Sequence, residues 1–426
     1  MKIKTVTKPY AEVLALPRPD HKKPLRPSLF FRTLMRTLGK ADLKATHFSY
    51  TAHRMELCQG QPCLILMNHS SFIDLSIVAE VFARQPYCIV CTSDGFVGKE
   101  WLMRHLGCIP TKKFVTDVSL IGDIRYALHT LHTSVLMYPE ASYTFDGTAT
   151  PLPRKMGILL KRLGVPVVMI TTHGAFARDP LYNCLQKRQV NVSARAECLL
   201  TPEEIAQSSV QALDDRLDAA FSFDNFAWQT ENRVEITEPF RADGLSRILY
   251  RCAHCGAEGQ MEGKGTKLRC GCCGKTYTLD TLGRLQADEG ETEFPHIPDW
   301  YAWERDTVRK AILDGSYALD TDVDIGVMVD FKAIYMVGEG HLCHDGTGFT
   351  LTGCEGQLHY QQPPKANYSL YADYYWYELG DVICIGDGDV LYYCFPKKKD
   401  VVARTRIAAE ELYKLQRKPR REKVGT

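Results

Sequence analysis

The 426 residues read as an α/β chain: a layered αβ unit, then a small four-cysteine ribbon, then a β-rich C-terminal region. Three observations point there. From about residue 60 to 200, short apolar runs alternate with amphipathic stretches, the pattern of a sheet with helices on its faces. Two Cys-x2-Cys pairs follow, Cys252 with Cys255 and Cys270 with Cys273. Residues 316–396 are then rich in β-branched and aromatic side chains, with turn signals at Asp345-Gly346 and Gly386-Asp387-Gly388-Asp389. The length suits roughly three domains at ~150 residues each. The expected boundaries are 1–40 for a basic lead-in and amphipathic helix, 41–245 for the αβ domain, 246–288 for the ribbon, and 289–426 for the β-rich accessory domain with its basic tail.

Residues 1–27 are basic and spaced by Pro9, Pro17, Pro19, Pro24 and Pro27, which suits an extended segment. Ser28 then offers an N-cap and Gly39 a stop for a helix on which Phe30, Phe31, Leu34, Met35 and Leu38 share a stripe beside Arg32 and Arg36. Two readings stand for it: a helix lying in a bilayer interface with arginines on lipid phosphates, or a core-packing helix with solvated arginines. Strands are expected at Cys63–Met67, Tyr87–Thr92, Val135–Tyr138, Val165–Thr171 and Gln189–Leu199, with helices near Ile73–Ala83, Lys99–Leu106, Leu120–Leu131 and Lys155–Leu163. Thr201-Pro202-Glu203-Glu204 supplies an N-cap, a proline at the first helical position and a capping-box glutamate, opening a helix expected to reach about Phe223. A helical pattern over Ile407–Leu415 precedes the basic tail Arg417–Lys423.

The 52 basic and 51 acidic residues nearly cancel, yet residues 1–40 carry +8 and 397–426 carry +7, leaving −14 between them. Two basic ends around an acidic body suit an anionic membrane surface, and the acidic interior argues against nucleic acid as the partner. Most of the sixteen cysteines stand singly in apolar strings, where they serve as small hydrophobes. No signal-peptide apolar region opens the sequence and no apolar run approaches 18 residues, so the expectation is a reduced, cytoplasmic protein, peripherally associated with the membrane and without a spanning helix.

The chemistry concentrates in Asn68-His69-Ser70-Ser71-Phe72-Ile73-Asp74, between an apolar strand and a helix. An aspartate five residues after a histidine, in the first helical turn, can hold one ring nitrogen and leave the other free to accept a proton. No protein nucleophile accompanies the pair, so the attacking group would be a substrate hydroxyl. Tyr138-Pro139-Glu140-Ala141-Ser142 ends a second short strand, which brings Glu140 to the same edge of the sheet, where open α/β sheets bind ligands. Lys112, Lys113, Arg154 and Lys155 supply cations for a phosphate-bearing substrate.

The order of these blocks resembles the glycerolphosphate and lysophosphatidate acyltransferases. N-H-x4-D is met by Asn68, His69 and Asp74. The G-x-I-F-I-x-R block keeps Gly107 and Ile109, with Lys113 in place of the arginine. F-P-E-G-T-R-S becomes Tyr138-Pro139-Glu140-Ala141-Ser142-Tyr143-Thr144, and the apolar V-P-V-V-P-V block becomes Val165-Pro166-Val167-Val168-Met169-Ile170. The resemblance covers about residues 60–175. It implies an acyltransferase-type αβ domain in which His69, oriented by Asp74, deprotonates an acceptor hydroxyl attacking the thioester of acyl-CoA or acyl-carrier protein. Backbone amides after His69 would stabilise the oxyanion. Asn68, Lys112, Lys113, Glu140, Ser142 and Arg154 would bind the acceptor, a phosphate-bearing lysolipid. The alternative is a non-catalytic lipid- or protein-binding protein that keeps the fold.

The four paired cysteines, each second member followed by glycine, have the spacing of a structural zinc ribbon, with Cys272 as a spare thiol. The C-terminal strands and closing helix resemble a pleckstrin-homology-like layout.

Overall fold

The computed structural model describes residues 2–58, 60–113, 117–153 and 155–416. Arg154 and the tail Arg417–Lys423 lie outside the described residues. The αβ unit is built on a seven-stranded sheet in the order Ser49–His53, Ser193–Leu200, Val167–His173, Leu64–Met67, Ser134–Met137, Tyr87–Thr92, Cys108–Thr111. The last five in that order run parallel to one another, and Ser193–Leu200 pairs antiparallel with Val167–His173. The Leu64–Met67 strand sits at the centre and is buried on both faces, as an unbroken apolar run requires. Leu64 and Leu66 join one core with Ile124, Leu128, Leu160, Leu163 and Leu217, and Ile65 and Met67 join a second core on the other face with Leu43, Ile77, Val78 and Phe82.

All five expected strands are present, Tyr87–Thr92 with the expected ends and the other four with shifted ones, and two edge strands are added. Ser49–His53 is exposed along its whole length and so carries no apolar signal. Cys108–Thr111 contains Pro110, which an edge strand tolerates because one side needs no ladder donor. The capping box at Thr201 is formed, with Thr201 and Glu204 each accepting the other's backbone N–H. Its helix ends at Gln207, however, and a new helix, Val210–Ala220, starts where the Ser209 side chain accepts the Ala212 N–H. Serine competes with the helix for backbone donors, and two in succession re-cap rather than continue it.

The first long helix is Leu29–Ala45, capped by Ser28 but not stopped by Gly39. Gly39 instead lets this helix approach Asp74–Val81: a Cβ there would stand 2.7 Å from Ser76 Oγ. Both arginines turn inward. Arg36 makes two bonds to Glu80, at 2.9 and 3.0 Å, and Arg32 donates to the Ala83 carbonyl at 3.1 Å. Leu29, Phe30 and Leu38 face outward at 72%, 69% and 72% exposure. The arginines thus serve neither lipid phosphates nor solvent as the sequence readings placed them, because the partner helix offers a carboxylate and an open carbonyl to guanidinium groups.

The ribbon is a four-stranded antiparallel sheet, Met261–Lys264, Lys267–Cys270, Thr276–Leu279 and Leu285–Ala287. The C-terminal region is an eight-stranded sheet whose last strand, Leu391–Pro396, pairs with its first long one, Leu319–Met328. The helix Val402–Leu415 closes it. Its eighth strand comes from the start of the chain: Thr5–Thr7 pairs parallel with Ile334–Asp345. One buried cluster joins Phe145 and Phe176 of the αβ unit to Tyr277 of the ribbon, Trp300, Val323 and Ile407. No helix among the described residues is long and apolar enough to cross a membrane.

Gly39→Val should lower stability by about 1–3 kcal/mol in urea unfolding, the usual cost of overpacking, whereas Lys40→Val beside it, exposed in the same helix, should change it by under about 0.5 kcal/mol.

Candidate active site

The central strand ends at Met67, so Asn68 and His69 emerge at its C-terminal edge, beside Tyr138 and Glu140 from the neighbouring strand Ser134–Met137. Asn68 is fully buried: its Nδ2 donates to Ser70 Oγ at 2.9 Å and its Oδ1 accepts the Thr172 N–H at 2.9 Å. It thus splices two strand ends. His69 Nδ1 lies 3.1 Å from Asp74 Oδ2, in the first turn of the Asp74–Val81 helix. The same oxygen accepts the Ser70 and Ser71 N–H groups at 3.0 and 3.2 Å. These two amides, expected to serve an oxyanion, are therefore committed to Asp74.

Burial pushes the Asp74 carboxyl up to about 7 against the pull of those two N–H bonds. Burial, and then the nearby Lys113 charge, hold the His69 imidazole well below its usual range. The imidazole is thereby kept neutral, and with Nδ1 donating to Asp74 the Nε2 lone pair faces away from the carboxylate. Two tyrosines fix the ring plane: Tyr138 stacks at 4.1 Å and Tyr143 at 3.8 Å between centroids.

Glu140 is 1% exposed and both its oxygens are engaged. Oε1 accepts the His69 N–H at 3.0 Å, and Oε2 accepts the Thr150 N–H at 2.9 Å and its O–H at 2.8 Å. Burial raises this carboxyl to about 7 while the three donors and Arg406 pull it down. Glu140 accordingly ties the His69 loop to the loop after it. Ala141 adopts φ 56°, the left-handed region that glycine prefers. Ser142 is buried, its hydroxyl near the Tyr143 carbonyl at 3.4 Å.

The two lysines part company. Lys112 lines a cleft with Arg18, Asp330 and Asp389. Lys113 stands near His69, with its Nζ 4.0 Å from the Tyr371 ring centroid and the Asp373 and Asp94 carboxylates close by. The C-terminal sheet thus reaches the site. Tyr371 donates to Asp94 at 2.5 Å, Tyr368 to the Pro139 carbonyl at 3.4 Å, and Arg406 of the closing helix to the Tyr143 carbonyl at 3.3 Å. Behind the site, Ser71 donates to Asp179, which Arg178 pairs at 2.8 Å while also reaching Asp42 of the Leu29–Ala45 helix at 2.7 Å. Sequence reasoning missed Tyr138 and Tyr143 as ring partners, and Thr150, Asp179 and Arg406 altogether. The altered third block, with tyrosine at 138 and 143, was the one visible signal.

Residues 49–172 match the family model described as Acyltransferase. Asn68, His69, Asp74, Lys113, Glu140, Thr150 and Thr172 all fall inside this matched stretch. Over 117 residues, 26% of this chain and 33% of the relative, it is 27% identical to 1-acyl-sn-glycerol-3-phosphate acyltransferase BAT2, chloroplastic, of Brassica napus. Over 161 residues, 37% of this chain and 56% of the relative, it is 24% identical to 1-acyl-sn-glycerol-3-phosphate acyltransferase beta of Homo sapiens. The chain therefore spans between a third and just over half of the length of these curated relatives. The crystal structure of the 1-acyl-sn-glycerophosphate (LPA) acyltransferase, PlsC, from Thermotoga maritima aligns with a TM-score of 0.34 at 15% identity, over 45% of this chain and 76% of that one.

Outside the matched stretch, Cys252, Cys255, Cys270 and Cys273 bring their sulfurs within 4.8 Å of one another. Cys252 and Cys273 are 3.8 Å apart, as are Cys255 and Cys270. A tetrahedron with Zn–S bonds of about 2.3 Å has edges of about 3.8 Å, so the donor set fits zinc. Gly256 and Gly274, at φ 76° and 79°, make the knuckle turns, and Cys272 stays outside the group.

Glu140→Ala would leave three part-buried donors without an acceptor, and urea unfolding should report a loss of about 3 kcal/mol or more, against about 1 kcal/mol for Thr150→Val.

Proposed function

We propose that this protein is an O-acyltransferase. It would move a fatty acyl group from acyl-CoA or acyl-carrier protein to a hydroxyl of lysophosphatidate or a related phosphate-bearing lysolipid, with His69 as general base. The observation that carries the reading is the oriented neutral imidazole: His69 Nδ1 on Asp74, its ring held between Tyr138 and Tyr143, at the C-terminal edge of the central strand. In the proposed step Nε2 takes the acceptor O–H proton as the oxygen attacks the thioester carbonyl. The tetrahedral intermediate then expels the thiolate, which recovers the proton from His69. Asp74 keeps the ring in the needed tautomer and offsets the imidazolium as it forms. Glu140 acts as a positioning residue, since its oxygens already serve the two loops. Lys113 is the cation nearest the base and the candidate phosphate contact, shared with Tyr371. Zinc held by the four cysteines would close the ribbon and take no part in the transfer.

The membrane reading rests on the outward apolar side chains Leu29, Phe30 and Leu38, with Phe72 at 57% and Leu75 at 45% exposure on the segment that follows His69. Phe72 lies 5.5 Å from Tyr143, which stacks on His69, so an apolar surface adjoins the base. A lipid interface would cover these groups and present an acceptor beside them. We read the C-terminal unit, seven antiparallel strands and a closing helix, as pleckstrin-homology-like.

One observation favours the second reading, a non-catalytic protein retaining the fold: Lys113 sits against Tyr371 and faces Asp373, so its charge is already engaged. Acyl-transfer assays with both donors against lysophosphatidate, other lysophospholipids and glycerol 3-phosphate decide between them. Wild type should turn over at least one phosphate-bearing acceptor, and His69→Ala should lose at least about 1,000-fold in kcat/KM. No turnover in either protein would favour the second reading, and equal measurable rates in the two would overturn His69 as the general base. Sedimentation with phosphatidate-containing vesicles should weaken about tenfold for the triple variant Leu29→Ser, Phe30→Ser, Leu38→Ser, with secondary structure unchanged by circular dichroism.

A further inference from the structure

On the open face of the C-terminal sheet, two neighbouring strands bring four side chains together that neither the acyl-transfer chemistry nor the ribbon uses. Register pairs Asp320 with Cys343 and Asp322 with His341 across Leu319–Met328 and Ile334–Asp345. Since i and i+2 share a face, all four project from the same side. His341 Nδ1 lies 2.9 Å from Asp322 Oδ1, His341 Nε2 lies 3.1 Å from Asp320 Oδ1, and Cys343 Sγ lies 3.9 Å from Asp320 Oδ2.

We propose that Asp320, His341 and Cys343 form a second metal site, taking a borderline-soft divalent cation of the zinc class, with Asp322 orienting the histidine. Three features of the cluster argue for it. The donor atoms of Asp320, His341 and Cys343 already lie within 4.8 Å of one another. In a tetrahedral zinc site, N, O and S donors stand about 3.3–3.6 Å apart, between the 3.1 and 3.9 Å at which His341 Nε2 and Cys343 Sγ stand from the Asp320 carboxylate. With Nδ1 held by Asp322, Nε2 stands 3.1 Å from Asp320 Oδ1, so a metal ion at Nε2 would take the place of the proton that an imidazolium shares with Asp320. This is the carboxylate–histidine–metal relay in outline.

Charge points the same way. Among the described residues, no lysine or arginine side chain pairs with Asp320 or Asp322, whereas Asp324, two residues further along the strand, is paired by Lys397. A thiol beside two such carboxylates is a poor use of a cysteine as a hydrophobe. The mixed sulfur, nitrogen and oxygen set disfavours calcium and magnesium, which take oxygen ligands. Thr350 and Thr352 face the pair from the next strand and bring no competing charge. The protein contributes three ligands, leaving one position for water.

Metal titration of the full chain tests this, with zinc as the probe and a chromophoric chelator as competitor. Wild type should bind one more equivalent than His341→Ala or Cys343→Ser, both surface substitutions that should leave the fold intact. Each should weaken that equivalent at least about tenfold. Cobalt at the same equivalent should give a thiolate-to-metal absorption that is lost in Cys343→Ser and kept in Cys272→Ser. Equal zinc content and affinity in wild type, His341→Ala and Cys343→Ser would overturn the proposal, as would a cobalt spectrum that Cys343→Ser leaves unchanged. Because the comparison is between variants, its failure is distinguishable from failure of the acyltransferase reading or of the ribbon site.

Discussion

Two buried carboxylates grip the His69 loop from opposite sides. Asp74 takes the ring N–H together with the Ser70 and Ser71 amides, and Glu140 takes the His69 amide itself. The loop follows a four-residue strand and would otherwise be free to pivot. With backbone and ring both held by carboxylates that are 1% exposed, the imidazole has one orientation. The cost is the desolvation of two acids, seen in the upward displacement of both to about 7. Hydrogen bonds from five backbone and side-chain donors, besides the ring N–H, offset it.

The C-terminal region extends this grip outward. Glu140 also holds Thr150, and Phe145 between them belongs to the large cluster shared with Trp300 and Ile407. Arg406 closes the same loop from the opposite side, through the Tyr143 carbonyl and the Phe145 ring at 4.4 Å. The αβ unit is thus continuous in packing with the β-rich unit. That continuity gives a physical reason for the altered third block. Tyrosine at 138 and 143 stacks on His69, while the cations near the site, Lys113 and Arg406, are anchored by side chains or carbonyls that involve the C-terminal elements. The first strand of the chain, Thr5–Thr7, binds into that sheet too, so the Leu29–Ala45 helix is carried on a segment fastened at its start.

Legibility in the sequence followed locality. The five inner strands were visible because each is an apolar run, and the convergence of His69, Asp74 and Glu140 followed from placing them at strand ends of one sheet. The four zinc-type cysteines were visible through spacing alone. Gly39 was misread because a glycine that ends a helix and one that admits a neighbouring helix look alike in a single chain. Arg32 and Arg36 were misread for a similar reason, since Glu80 and Ala83 lie more than forty residues away and no local pattern names them. Lys113 with Tyr371, and Tyr143 with Arg406, are separated by more than 250 residues, and only packing brings them together.

The proposed proton transfer depends on the protonation of one ring. Nitrogen-15 resonances of histidine-labelled protein, with His69 assigned by comparison with His69→Gln, report it directly. A base at His69 requires a neutral imidazole at pH 7 with its proton on Nδ1, persisting as the pH falls through the ordinary histidine value of 6.5. An imidazolium at pH 7, or a neutral ring protonated on Nε2, would contradict it.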